Sequence, residues 1–65
     1  MLDLSRVKIG DKVRVISTKT TIDGTLYEDS IVKIDGIDIK KHQLRVVDNV
    51  GKIWHVLDID LEKIN

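Results

Sequence analysis

The sequence predicts an all-β fold, a small barrel of five short strands with a short 3-10 turn before the last one. Three observations point there. Eighteen of the twenty-seven apolar residues are Val or Ile, whose branched Cβ suits a pleated, half-buried surface. Alanine, the best helix former, is absent, and no helical periodicity is sustained. Apolar residues instead recur at every second position in short runs, separated by Gly, Asp, Asn and Ser.

The first strand follows Lys8-Ile9-Gly10, where Val13 and Val15 share one face and Lys12 and Arg14 the other. Ser17 to Thr21 is then a polar excursion, ending in Ile22 and Asp23-Gly24, which predict a tight turn at its tip. From Ser30 to Lys40 the strand pattern returns, but its register breaks: Val32 and Ile34 share one face, and after Gly36 the apolar positions become Ile37 and Ile39. Either Asp35-Gly36 closes a two-residue hairpin, or Gly36 supports a bulge that bends one long strand, and the bulge is the preferred reading. Leu44 to Asp48 and Lys52 to Val56 flank Asp48-Asn49-Val50-Gly51, a hairpin signal with Asn and Gly available for positive φ. The tail from Leu57 to Ile64 fits both alternation and helical spacing, which one turn of tight helix before a last short strand satisfies.

Sixty-five residues make one domain, 1–65, because so short a chain buries only about 60% of the surface it exposes when unfolded. No cysteine is present, and His42 and His55 are the only imidazoles, so the aliphatic core must carry the fold and neither a metal nor a cofactor is expected. Formal net charge is zero, so no bulk field draws the chain to nucleic acid or to an anionic membrane. Carboxylates concentrate near the C-terminus. No apolar run approaches the ~20 residues of a membrane span, and Met1 to Arg6 lacks a signal-peptide layout. The expectation is a cytoplasmic protein.

Lys8-Ile9-Gly10-Asp11-Lys12-Val13-Arg14-Val15-Ile16 resembles the opening strand of many SH3-like barrels. Over the whole chain the order Gly10-Asp11, Leu44 to Val46, Asp48 to Trp54 and Asp60-Leu61-Glu62 is similar to the small SH3-like proteins of bacteria and their phages, of the Mind-bomb SH3-repeat type. That resemblance implies a five-stranded SH3-like barrel in a bacterial or phage protein. A second resemblance is to the KOW motif of ribosomal and transcription-elongation proteins, carried by the Gly-Asp start and Gly36-Ile37-Asp38-Ile39-Lys40-Lys41-His42-Gln43. It implies RNA or DNA binding, although Ser17 to Thr21 holds one lysine and no glycine where that family has a Gly- and Lys-rich loop. Thr25-Leu26-Tyr27-Glu28-Asp29 echoes a segment of proline-binding SH3 domains, but it follows the Gly-Asp strand, and the paired tryptophans of that groove are missing.

The densest basic cluster is Lys40-Lys41-His42 with Arg45, which could pair with phosphates. A solvated turn is the plainer account, since Asp35 and Asp38 dilute the potential. Tyr27 and Trp54 are the only aromatics and are candidates for a protein interface. Trp54, between Ile53 and His55, is also placed to fill the core. Asp58, Asp60 and Glu62 lack the wrapping loop of a cation site and are expected as a solvated acidic edge. No Ser or His has a catalytic spacing, so an enzyme is not expected. The leading functional expectation is a non-enzymatic protein-binding module using Ile22, Tyr27, Glu28, Asp29 and Trp54 toward an unidentified protein partner. The alternative is a KOW-like nucleic-acid binder using Lys40, Lys41, His42 and Arg45. Self-association through an open sheet edge is a third possibility.

Overall fold

The computed structural model describes residues 1–64. Seven strands are present: β1 Lys12–Val15, β2 Lys19–Thr21, β3 Gly24–Leu26, β4 Ile31–Asp38, β5 Gln43–Val47, β6 Ile53–Leu57 and β7 Leu61–Lys63. Turns of 3-10 helix cover Leu4–Arg6 and Asp58–Asp60, the second in the predicted place before the last strand. Five strands form one antiparallel sheet in the order β6-β5-β4-β1-β7, and β2 and β3 form a separate hairpin. The fold is therefore all-β, with β6 and β7 as the two ends of the main sheet. Among the described residues, no helix is long and apolar enough to cross a membrane.

Alternation places the core as predicted. Val13 and Val15 of β1 are buried, as are Val32 and Ile34 of β4, Leu44 and Val46 of β5, and Trp54 and Val56 of β6. Each such aliphatic side chain contributes roughly 1.5–3 kcal/mol by leaving water. The N-terminal residues carry no strand pattern, yet Leu2 and Leu4 join the same core. They are held there by Leu2 N–H donating to the Asp58 carbonyl at 3.0 Å, and by Asp3 accepting from Ser5 N–H at 3.0 Å.

The broken register in β4 is a bulge. Ile34 stands opposite Val46 and Gly36 opposite Arg45, leaving Asp35 as the extra residue, so Asp35-Gly36 does not close a hairpin. Asp35 is anchored by Arg45, whose Nε donates to Asp35 Oδ2 at 2.8 Å. A Cβ at Gly36 would lie 3.4 Å from the Arg45 side chain, so the glycine leaves that side chain room to reach Asp35. Beyond the bulge Ile37 packs against the core, while Ile39 lies exposed past the strand's end.

In the turn between β5 and β6, Gly51 takes positive φ (84°) and Asn49 does not. Asp48 organises it. One carboxylate oxygen accepts from Val50 N–H at 3.0 Å and Lys52 N–H at 2.9 Å. The other accepts from the indole N–H of Trp54 at 3.0 Å.

Candidate functional site

The polar excursion predicted between the first two long strands folds as the β2–β3 hairpin, with Ile22 and Asp23 at its tip. Thr21 stabilises the turn: its hydroxyl accepts from Asp23 N–H at 3.2 Å and donates to the Gly24 carbonyl at 3.1 Å. Gly24 has a φ of 138°, a conformation that a residue with a Cβ rarely adopts. The tip is pinned to the sheet by Lys52, whose ammonium donates to the Asp23 carbonyl and sits 4.2 Å from the centre of the Trp54 ring. Ile22 points clear of all this and is fully exposed.

At the hairpin's exit, Tyr27 is 66% exposed beside Glu28, whose N–H donates to Thr18 Oγ1 at 3.1 Å. A cleft of about 450 Å³ opens here between Tyr27 and Ile31 on one side and Asp48 and Asn49 on the other. Asp29 adopts positive φ (70°) so that the chain can turn into β4, and its N–H donates to the Val15 carbonyl at 2.6 Å. Its carboxylate bonds Arg14 Nη1 at 2.6 Å, and Glu62 bonds Arg14 Nη2 at 3.1 Å. Glu62 first, then Asp29, raise the guanidinium pKa above its already high ordinary value.

Of the predicted protein-binding residues, Ile22, Tyr27 and Glu28 thus share one exposed excursion. Asp29 adjoins them, but its carboxylate is committed to Arg14. Trp54 does not belong with them: it is 7% exposed, its indole N–H is spent on Asp48, and Lys52 covers its ring. Its role is core packing and fixing the adjacent turn.

The predicted basic cluster is divided. Lys40 and Lys41 are exposed in the turn between β4 and β5, with no carboxylate within ion-pair distance among the described residues. His42, at a φ of 54°, directs Nδ1 to Asp58 Oδ2 at 3.0 Å, and Arg45 is held by Asp35 at the bulge. Two of the four side chains are therefore structural partners of carboxylates.

The acidic tail departs from expectation. Asp58 and Asp60 are 6% and 4% exposed, so they are no solvated edge; only Glu62 is exposed. Asp60 Oδ2 accepts from Leu57 N–H at 2.9 Å and meets the Lys19 ammonium at 3.0 Å. Leu57 already belongs to the outward row of β6, and the same parity runs on through the 3-10 turn, so Ile59 faces out and Asp58 and Asp60 face in; the parity shifts only at Leu61, which is buried. Apolar–acidic alternation alone does not say which set is inside; the partners that make the inward carboxylates tenable, Lys19 for Asp60 and His42 for Asp58, come from distant segments and are seen only in the fold. No group of His, Cys, Asp and Glu able to hold a metal occurs among the described residues.

Sequence reasoning also passed over the outward row of β6, Ile53, His55 and Leu57, all exposed on an end strand. Between β6 and the hairpin runs a groove of about 340 Å³, walled by Thr20, Thr21 and Asp23 on one side and Ile53, His55 and Leu57 on the other. Neither a family model, nor a curated protein, nor a solved structure matches this chain.

Proposed function

We propose that the chain is a small non-enzymatic protein-binding module built on an SH3-like barrel, an accessory protein of a bacterium or phage. The order β7-β1-β4-β5-β6, with a hairpin excursion after β1 and a 3-10 turn before β7, supports the SH3-like reading. The observation that carries the function is the exposure of Ile22 and Tyr27 on that excursion. Large apolar side chains held in water on a braced hairpin are the kind of group that anchors a protein interface. Glu28 supplies a charge beside them that can set orientation.

The test is affinity capture from a bacterial lysate with the native chain and with an Ile22→Ser, Tyr27→Ala double variant. A protein captured by the first and lost by the second, with the fold intact by circular dichroism, is the expected result. Equal capture by both chains removes this surface from consideration.

A second reading, nucleic-acid binding through the turn between β4 and β5, is favoured by one observation: Lys40 and Lys41 are exposed there and pair with no carboxylate among the described residues. It requires micromolar, steeply salt-dependent binding of labelled DNA or RNA that Lys40→Glu with Lys41→Glu abolishes. Insensitivity to that charge reversal overturns it.

A further inference from the structure

Strand β6 ends the main sheet, and its register decides which of its backbone groups are satisfied. Asp58 N–H donates to the His42 carbonyl and Asp48 N–H to the Lys52 carbonyl, both at 3.0 Å. In an antiparallel pair hydrogen-bonded positions alternate, so Leu44 with Val56 and Val46 with Trp54 are the pairs that exchange bonds across β5 and β6. Ile53, His55 and Leu57 therefore turn their N–H and C=O groups to the open side. Leu57 N–H is taken by Asp60. Among the described residues, nothing takes the N–H or C=O of Ile53 or of His55.

We propose that this edge receives an extended segment of a partner protein as an added strand, with an acidic residue opposite His55 and apolar residues opposite Ile53 and Leu57. The inference rests on the protein-binding reading but assigns it a separate site. The occupant follows from the chemistry of the edge. Alternating main-chain donors and acceptors are matched by another extended backbone. The side chains standing beside the added strand would be Ile53 and Leu57, both about half exposed, with His55 between them.

Charge selects further. Arg45 is the direct cross-strand neighbour of His55, and these two form a close, non-hydrogen-bonded pair. On the groove side the Lys52 ammonium meets a carbonyl and an aromatic ring rather than a carboxylate. Of the nearby carboxylates, Asp60 is spent on Lys19 and Leu57 N–H, and Asp35 on Arg45; Asp23 stands on the opposite wall. An acidic side chain opposite His55 would therefore stand beside an imidazole that no carboxylate among the described residues bonds, with the Lys52 ammonium on the groove side and the Arg45 guanidinium, itself paired with Asp35, behind.

A second copy of this chain fits less well. Two-fold pairing of β6 about His55 would bring both imidazoles, and the Arg45 groups behind them, side by side.

The test uses nitrogen-labelled full-length chain titrated with the blocked peptide Thr-Val-Thr-Glu-Thr-Val-Thr. Expected are amide shifts centred on Ile53, His55 and Leu57, and slowed hydrogen exchange at the Ile53 and His55 amides. Ile53→Pro should keep the fold, since that N–H makes no internal bond, and weaken the peptide by about tenfold or more. His55→Glu should lose the peptide and bind instead a version with Lys at its centre. That exchange of preference reports on the site even if the proline variant does not fold. Unslowed exchange at Ile53 and His55 under saturating peptide overturns the proposal. Shifts confined to Ile22 and Tyr27 would overturn this edge while leaving the protein-binding reading standing. Concentration-dependent dimerisation lost in the His55→Glu variant, without peptide binding, would overturn it in favour of self-pairing.

Discussion

Two of the hairpins, β5–β6 and β2–β3, are of opposite character. The β5–β6 hairpin buries Leu44, Val46, Trp54 and Val56, and the Val50 and Lys52 amides and the Trp54 indole N–H converge on one carboxylate, Asp48. The β2–β3 hairpin buries a single side chain, Leu26, and is tethered at its tip by one lysine. Both have a Gly-containing turn, yet one is part of the core and the other is braced against it. Stability should therefore respond to changes in the first and recognition to changes in the second.

The largest expected effect is at the place where the two hairpins meet. Trp54→Ala removes a buried ring that supports the Lys52 tether and bonds Asp48, and should cost about 3–5 kcal/mol. Leu44→Ala, in β5, should cost about 2–5 kcal/mol. Urea unfolding measures both; a loss below about 1 kcal/mol at either site would show that the β5–β6 hairpin does not dominate the core.

A smaller effect is expected at Asp60, which ties β2 to the 3-10 turn before β7. Asp60→Ala strips partners from Leu57 N–H and Lys19, and should cost about 1–3 kcal/mol. Lys19→Met, which removes only one of those two contacts, should cost less. An equal loss from both variants would place the whole effect on the ion pair.

Asp48 permits a pH test of the same contrast. The Trp54 indole N–H, helped by the Lys52 and Val50 amides, holds its carboxyl below the ordinary 3.8. A carboxyl depressed in the fold stabilises above its unfolded pKa, and that stability is lost as pH falls through the folded value. The loss should therefore appear below about pH 4, and Asp48→Asn should lower stability at neutral pH while flattening that acid limb. Asp3, lowered by its bonds to Ser5, leaves a residual slope. An unchanged acid limb in the variant would refute the assignment.

What was legible in the sequence divides along the same line. Period-two alternation located β1, β4, β5 and β6 because each has one wet and one dry face, and the jump from Ile34 to Ile37 announced the bulge. Alternation of burial runs on from Trp54 and Val56 through Asp58 and Asp60, but there the inward set is polar, so placing the apolar residues inside picks the wrong face. It was silent on Leu2 and Leu4, whose burial depends on a bond to the far end of the chain. Ile22, Tyr27, Glu28 and Asp29 were named for their place in the polar excursion, and the first three are exposed there. His42 and Arg45 were named for charge, and charge in a sequence does not reveal the partner that meets it, any more than place reveals that Asp29 bonds Arg14. The β6 edge was invisible because strand order is a property of the whole fold.

The smallest expected change in stability belongs to the excursion, and it separates the two hairpins most sharply. Ile22 and Tyr27 project into water and make no hydrogen bond through their side chains. Replacing them with Ser and Ala removes apolar surface that folding does not bury, so urea stability should stay within about 0.5 kcal/mol of the native chain. The same double variant should lose partner capture. A loss of stability comparable to that of Leu44→Ala would mean that the hairpin folds as part of the core, and the exposed side chains would then need a structural explanation. Unchanged stability with lost capture would establish that the chain keeps its folding and its recognition in separate hairpins, joined at Lys52 and Trp54.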